Sequence, residues 1–127
     1  MKSDETAASA YIYDRETTSA DNADERIAVC RDYAARMGWN VAGQWVDRGD
    51  NAVSARRMQW VGMLAAMDFE TPGRQPVCLV ASWDRIARDA SLRAEFRQMV
   101  SKINGVCVSV ADRVPESDVI PSAVHRG

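Results

Sequence analysis

The chain has 127 residues, 46% of them hydrophobic and 27% charged, with a formal net charge of −2. This is enough chain for one domain with a real core, and no overall basic field marks it for nucleic acid. Charge is nonetheless uneven: residues 1–25 hold two basic and seven acidic side chains, whereas residues 84–102 hold five basic and three acidic ones.

Cys30, Cys78 and Cys107 are scattered, with no Cys-x-x-Cys pair. That argues against a disulfide framework or a zinc site and fits a reducing cytoplasm, the expected location. His125 is the single histidine, which leaves no material for a histidine-based triad or metal cluster. No basic segment followed by an apolar run marks a signal peptide, and no apolar stretch approaches the roughly 20 residues of a membrane span.

Residues 1–9 are polar and acidic and read as a flexible lead-in. Ala10 to Tyr13 is aromatic and β-branched, a first strand, and its exit delivers Asp14-Arg15-Glu16-Thr17-Thr18. Asp24 to Met37 carries Ile27, Cys30, Tyr33, Ala34 and Met37 at helical spacing, with Asp21 or Asn22 as cap and Gly38 as terminator. Val41 to Val46 reads as a second strand and Asp47 to Ala55 as a loop. Arg57 to Phe69 reads as a second helix, with Trp60, Met63, Leu64 and Met67 on its inner face. Pro72-Gly73 marks a turn.

Val77 to Ala81 is an unbroken apolar run, the signature of a strand buried on both faces of a parallel sheet. Ser82-Trp83 ends it, and Asp84, Arg85 and Arg88 follow. Open α/β sheets bind ligands just beyond the carboxyl ends of their strands. Two guanidiniums with a carboxylate to orient them suit an oxyanion such as phosphate, although a solvated first helical turn with an ion pair has the same composition. Asp89 caps a third helix to Asn104, with Leu92, Phe96, Met99, Val100 and Ile103 inward and Gly105 as terminator. Val106 to Val110 is a fourth strand. Strict alternation predicts an α/β fold, a mainly parallel four- to five-stranded sheet flanked by helices, with strand order 2-1-3-4.

The residues resemble the catalytic domain of serine site-specific recombinases, the resolvase and invertase family. Tyr11-Ile12-Tyr13-Asp14-Arg15-Glu16-Thr17-Thr18 is similar to that family's tyrosine, arginine, nucleophilic serine, threonine pattern. Asp47-Arg48-Gly49, leading to Arg57 and Leu64, resembles its Asp-x-Gly loop, arginine and following leucines. Trp83-Asp84-Arg85-Ile86-Ala87-Arg88 resembles its Asp-Arg-Leu-x-Arg signature, the most specific of the three. Order and spacing agree over residues 10–112, which leaves 113–127 as an irregular tail.

The resemblance implies site-specific DNA recombination of the kind found in resolution, inversion and the integration of mobile elements. A hydroxyl attacks a DNA phosphate, and strands are exchanged and rejoined. Arg15, Arg57, Arg85 and Arg88 would surround that phosphate, Asp84 would hold the arginines or assist proton transfer, and no metal or cofactor is needed. Arg56 could stand in place of Arg57.

The chain departs from the pattern at several points. The serine position is Thr17, whose methyl restricts rotamers and crowds an in-line attack. Glu16 stands where a small apolar residue is usual, and Asp21 and Asp24 replace the glutamines of the next loop. Pro115 and Pro121 oppose a long helix after the fourth strand, and no helix-turn-helix, zinc ribbon or basic arm follows.

Two function classes follow. One is an impaired recombinase catalytic domain. The other is a non-catalytic remnant that keeps the fold and pairs with a full-length recombinase. A flavodoxin-like or nucleotide-binding domain is a weaker third, since no Gly-rich loop follows the first strand. DNA is the expected partner, bound weakly by an isolated, monomeric chain.

Overall fold

The computed structural model describes residues 8–18, 22–49 and 57–113. Its elements in chain order are β1 (Ala8–Glu16), α1 (Ala23–Met37), β2 (Asn40–Arg48), α2 (Met58–Asp68) and β3 (Gln75–Val80). A 3₁₀ turn (Trp83–Arg85), α3 (Ala90–Lys102), β4 (Val106–Ser109) and α4 (Val110–Arg113) complete them. The four strands form one parallel sheet in the order β2-β1-β3-β4, as the alternation predicts.

Strand side chains alternate between two cores. Ala8, Ala10 and Ile12 of β1, with Val77 and Leu79 of β3, pack on Ile27, Cys30, Tyr33 and Ala34 of α1. Tyr11 and Tyr13 of β1, with Cys78 and Val80 of β3, pack on the other face against Trp60, Met63 and Met67 of α2 and Phe96 and Val100 of α3. β3 is therefore buried on both sides from Pro76 to Val80, as its apolar run predicts.

Local chemistry explains the helix ends. The Asn22 side chain accepts from the Glu25 N–H at 3.2 Å, and Gly38 closes α1 in the left-handed region at φ 74°. The Asp89 carboxylate accepts from the Leu92 N–H at 2.8 Å and starts α3. At the far end of α3 the left-handed residue is Asn104 (φ 65°), not the expected Gly105. Gly105 answers a different need: a Cβ there would lie 2.9 Å from Val100 Cγ1, 3.0 Å from Met67 Cε and 3.2 Å from the Pro76 carbonyl oxygen.

Several expectations need correction. β1 runs three residues beyond Tyr13, because Asp14, Arg15 and Glu16 pair with β2 as far as Arg48. β2 likewise takes in Asp47 and Arg48, which the sequence assigns to a loop. Met37 and Met99, expected inward, lie on the exposed sides of their helices. Arg57 precedes α2 instead of opening it. Val110 leaves the sheet and begins the short helix α4, tied by the Ala111 N–H to the Ala81 carbonyl at 3.0 Å. Ala8 and Ser9 of the expected lead-in at 1–9 are buried residues of β1, and Arg113 of the expected tail at 113–127 ends α4. Residues 50–55 of the expected loop, Arg56, the alternative cap Asp21, residues 1–7 and residues 114–127 lie outside the described residues. No helix among the described residues is long and apolar enough to cross a membrane.

Candidate active site

The order β2-β1-β3-β4 places a switch point between β1 and β3, where the chain leaves β1 toward β2 and later returns to the opposite side. Ligand crevices of open α/β sheets form at the carboxyl ends of such neighbours. Arg15 and Thr17 come from the end of β1, Arg57 from the start of α2, and Asp84, Arg85 and Arg88 from the segment after β3. Together Arg15, Thr17, Arg57, Ala87, Arg88, Asp89 and Leu92 line a cleft of about 360 Å³.

The arginines are braced by the backbone. Arg15 Nε donates to the Asp84 carbonyl at 3.0 Å, and Arg85 Nη1 returns a bond to the Arg15 carbonyl at 3.0 Å. β1 and the 3₁₀ turn are thus cross-linked by two reciprocal guanidinium–carbonyl bonds. Arg85 Nη2 also meets Asp84 Oδ2 at 3.1 Å, while the Ser82 hydroxyl donates to Asp84 Oδ1. Burial alone would push the Asp84 carboxyl up, but the bonds from Ser82 and Arg85 outweigh it and hold the group below its ordinary value. Arg85 and Asp84 do not line the cleft; they stand behind it and fix Arg15.

Arg57 is almost wholly buried, its Nη1 donating to the Ile86 carbonyl and its guanidinium lying 4.6 Å over the Phe96 ring. It occupies φ 38°, a conformation that costs a non-glycine residue of order 1 kcal/mol or more. Nothing in its own side chain caps α2. Asp47 does so from β2: its carboxylate accepts from the Gln59 and Trp60 N–H groups at 2.8 and 3.1 Å and from the Tyr13 hydroxyl at 2.7 Å. Burial first, and then the Asp47 bond and charge, push the Tyr13 phenol above its ordinary value, while neighbouring Arg57 pulls the other way.

The electrostatics of the cluster are one-sided. Burial lowers the Arg15 pKa, and the charges of Arg57, Arg85 and Arg88 lower it further. Like charges gathered in a partly buried place favour the approach of an anion, and Arg85 already has one in the Asp84 carboxylate. Arg88 is exposed, and among the described residues it makes no hydrogen bond or ion pair, so its donors face the cleft mouth.

Glu16 does not line the cleft. Its carboxylate turns toward α1, accepting from the Ala23 N–H at 3.3 Å and lying 3.6 Å from Arg48 Nη1. The Glu16 carboxylate is thus held away from the arginines by a helix N-terminus and by Arg48, a partner of opposite sign. Thr17 is half-buried and its neighbour Thr18 is exposed.

Sequence reasoning missed the bracing groups. Arg26 grips the buried Asp14 bidentately, Nε to Oδ1 at 2.8 Å and Nη2 to Oδ2 at 2.7 Å, and also reaches the Arg15 carbonyl at 3.3 Å. The available signal was the charge alternation Asp14-Arg15 in a strand buried on both faces, where one residue must find a partner on each side. Among the described residues, no group of three or more His, Cys, Asp or Glu side chains converges as a metal site.

The family model "Resolvase, N terminal domain" matches residues 10–121. Among solved structures, the N-terminal catalytic domain of TP901-1 integrase superposes with a TM-score of 0.70 at 20% identity, over 84% of this chain and 79% of that one. The C-terminal catalytic domain of ISC1926 TnpA, an IS607-like serine recombinase, gives 0.66 at 17% identity, over 91% and 77%. A resolvase family site-specific recombinase from Streptococcus pneumoniae gives 0.64 at 19% identity, over 94% and 86%. No curated protein matches the chain.

Proposed function

The chain belongs to the resolvase N-terminal domain family, the catalytic domain of serine recombinases, and from that premise we propose that its cleft takes a DNA backbone phosphate for attack by the Thr17 hydroxyl. The observation that carries this is the lining of the cleft, where Thr17 shares one wall with Arg15, Arg57 and Arg88. The hydroxyl oxygen forms a bond to phosphorus as the bond to the 3′ oxygen breaks. The threonine proton ends, by way of solvent, on the departing 3′ hydroxyl, and the 5′ end stays joined to Thr17 as a phosphodiester. Rejoining is the reverse, with a 3′ hydroxyl displacing the threonine oxygen.

Arg15, Arg57 and Arg88 supply positive charge where the transition state gathers negative charge. Arg85 and Asp84 act as positioning residues, since their bonds run to Arg15 and to each other. The net charge of −2 offers little counterion release, so the isolated chain is expected to hold duplex DNA weakly.

A second reading, an anion pocket without chemistry, is favoured by one observation. Arg15, Arg57 and Arg85 each donate to a backbone carbonyl, which is what a structural guanidinium does. A nicked suicide DNA substrate separates the two, with a full-length recombinase supplied to hold the DNA. Thr17→Ser is expected to raise the covalent protein–DNA complex on the order of tenfold by removing the methyl, and Thr17→Ala to abolish it. A complex unaffected by Thr17→Ala would remove Thr17 as nucleophile. No complex from wild type or Thr17→Ser, with phosphate binding retained, would establish the second reading.

A further inference from the structure

Away from the cleft, Cys78 of β3 and Cys107 of β4 are register partners in adjacent parallel strands, on the face that packs against α2 and α3. Neighbouring strands lie about 4.7–4.9 Å apart. That falls within the roughly 4.4–6.8 Å separation of Cα atoms that a disulfide spans. Both side chains stand on that one face of the sheet. They differ in access: Cys78 is fully buried, and Cys107 is half-buried. Cys107 opens on a cleft of about 400 Å³ lined by Ala94, Arg97, Gln98, Ser101 and Val106.

Arg97 adds the third element. It lines the same cleft as Cys107, and its guanidinium lies 4.1 Å over the Trp83 ring, which holds it in place. Thiols become reactive where cations and donors stabilise the thiolate in an accessible place. The neighbouring Cys78 thiol lowers the Cys107 pKa, against the effect of burial, and the Arg97 charge lowers it further. Cys78, beside Cys107 and fully buried, is pushed up. Cys30 provides an internal contrast, buried and pushed up to about 12, chiefly by burial and then by the Asp14 charge.

We propose that Cys107 is a hydroperoxide-reactive thiol and Cys78 its resolving partner, together forming a reversible disulfide across β3 and β4. The Cys107 thiolate attacks the outer peroxide oxygen, becoming a sulfenic acid as the O–O bond breaks. The peroxide leaves as an alcohol or water after taking up a proton. The Cys78 sulfur then attacks the Cys107 sulfur and displaces the hydroxyl, which takes the Cys78 proton and leaves as water. Two electrons pass from the thiols to the peroxide, and a dithiol reductant returns the pair to its starting state.

The test uses the full reduced chain with equimolar hydrogen peroxide at neutral pH, followed by acid quench and peptide mass mapping. The expected product is one intrachain Cys78–Cys107 peptide, about 2 Da lighter than its reduced parts and reversed by dithiothreitol, with Cys30 untouched. Cys78→Ala should leave Cys107 as a sulfenic acid that dimedone captures, and Arg97→Leu should slow oxidation of Cys107 about tenfold. Oxidation of Cys107 no faster than that of Cys30, a disulfide between two chains, or full rate in Arg97→Leu would each overturn the proposal. If Cys78→Ala fails to fold, as circular dichroism would show, the wild-type peptide map and the Arg97→Leu rate decide the matter.

Discussion

The two faces of the sheet are built from different materials. The α1 face is filled by Ala8, Ala10, Ile12, Val77, Leu79, Ile27 and Ala34, mostly small and aliphatic side chains. The opposite face holds Tyr11, Tyr13, Trp60, Met63, Met67 and Phe96, with Tyr13 edge-on to Trp60 at 4.9 Å and Trp60 tilted on Phe96 at 5.1 Å. Only the second face carries Arg57 on an aromatic ring and the buried Tyr13–Asp47 bond. β1 distributes its charge by the same alternation: Asp14 turns to α1 and meets Arg26, and Arg15 turns to the aromatic side and meets the cleft. The aliphatic face therefore works as a scaffold, while the aromatic face also holds up the arginines of the cleft. Large flat side chains suit that second task, because they offer a guanidinium both van der Waals contact and a π-face.

The largest effect expected from this difference is that of Trp60→Ala. Trp60 is fully buried, so truncation should cost about 4 kcal/mol, read as a shift in the urea unfolding midpoint. It should also loosen Arg57 through Phe96, so any covalent DNA complex should fall by more than the folded fraction does. If the two fall in parallel, the aromatic face is merely a core. Asp14→Ala should cost about 3 kcal/mol, because it strands the Arg26 guanidinium that the buried carboxylate grips. A loss below about 1 kcal/mol would show that the pair contributes little, as exposed pairs do. Arg88→Ala should move stability by no more than about 0.5 kcal/mol, since the side chain is exposed and holds nothing in place. It should nonetheless weaken phosphate capture. A large stability loss in Arg88→Ala would place Arg88 among the braced arginines and erase its distinction from Arg57.

Much of this was legible where local pattern and tertiary role agree. The Val77–Val80 run announced a strand buried on both faces, and Asn22, Gly38 and Asp89 announced helix ends with their own chemistry. Arg88 after β3 was legible as a rim residue because a strand end in a parallel sheet has a known orientation, whereas Arg85, expected beside it, stands behind the cleft. The end of β1 was not legible. Asp14 and Arg15 look like loop residues until α1 supplies Arg26, a partner twelve positions away that no local window contains. The role of Asp47 was hidden in the same way. As a carboxylate in a Gly/Asp/Asn/Ser-rich stretch it reads as a turn residue, yet it caps a helix that starts eleven residues later. Asn104 took the left-handed position expected of Gly105 because Gly105 was reserved for a site without room for a Cβ.

The Asp47 clamp has a consequence for chain length. One carboxylate ties β2 to the first turn of α2, and the Gly49 N–H is fastened to the Glu16 carbonyl at 3.0 Å, so both borders of the connection at 50–56 are anchored independently of what it contains. Doubling the length of a connection between fixed ends adds only about 0.6 kcal/mol of closure entropy. Arg57 itself is held by the Ile86 carbonyl and the Phe96 ring. Residues can therefore be added between Gly49 and Arg57 at small entropic cost, with both ends of the connection held by the described residues.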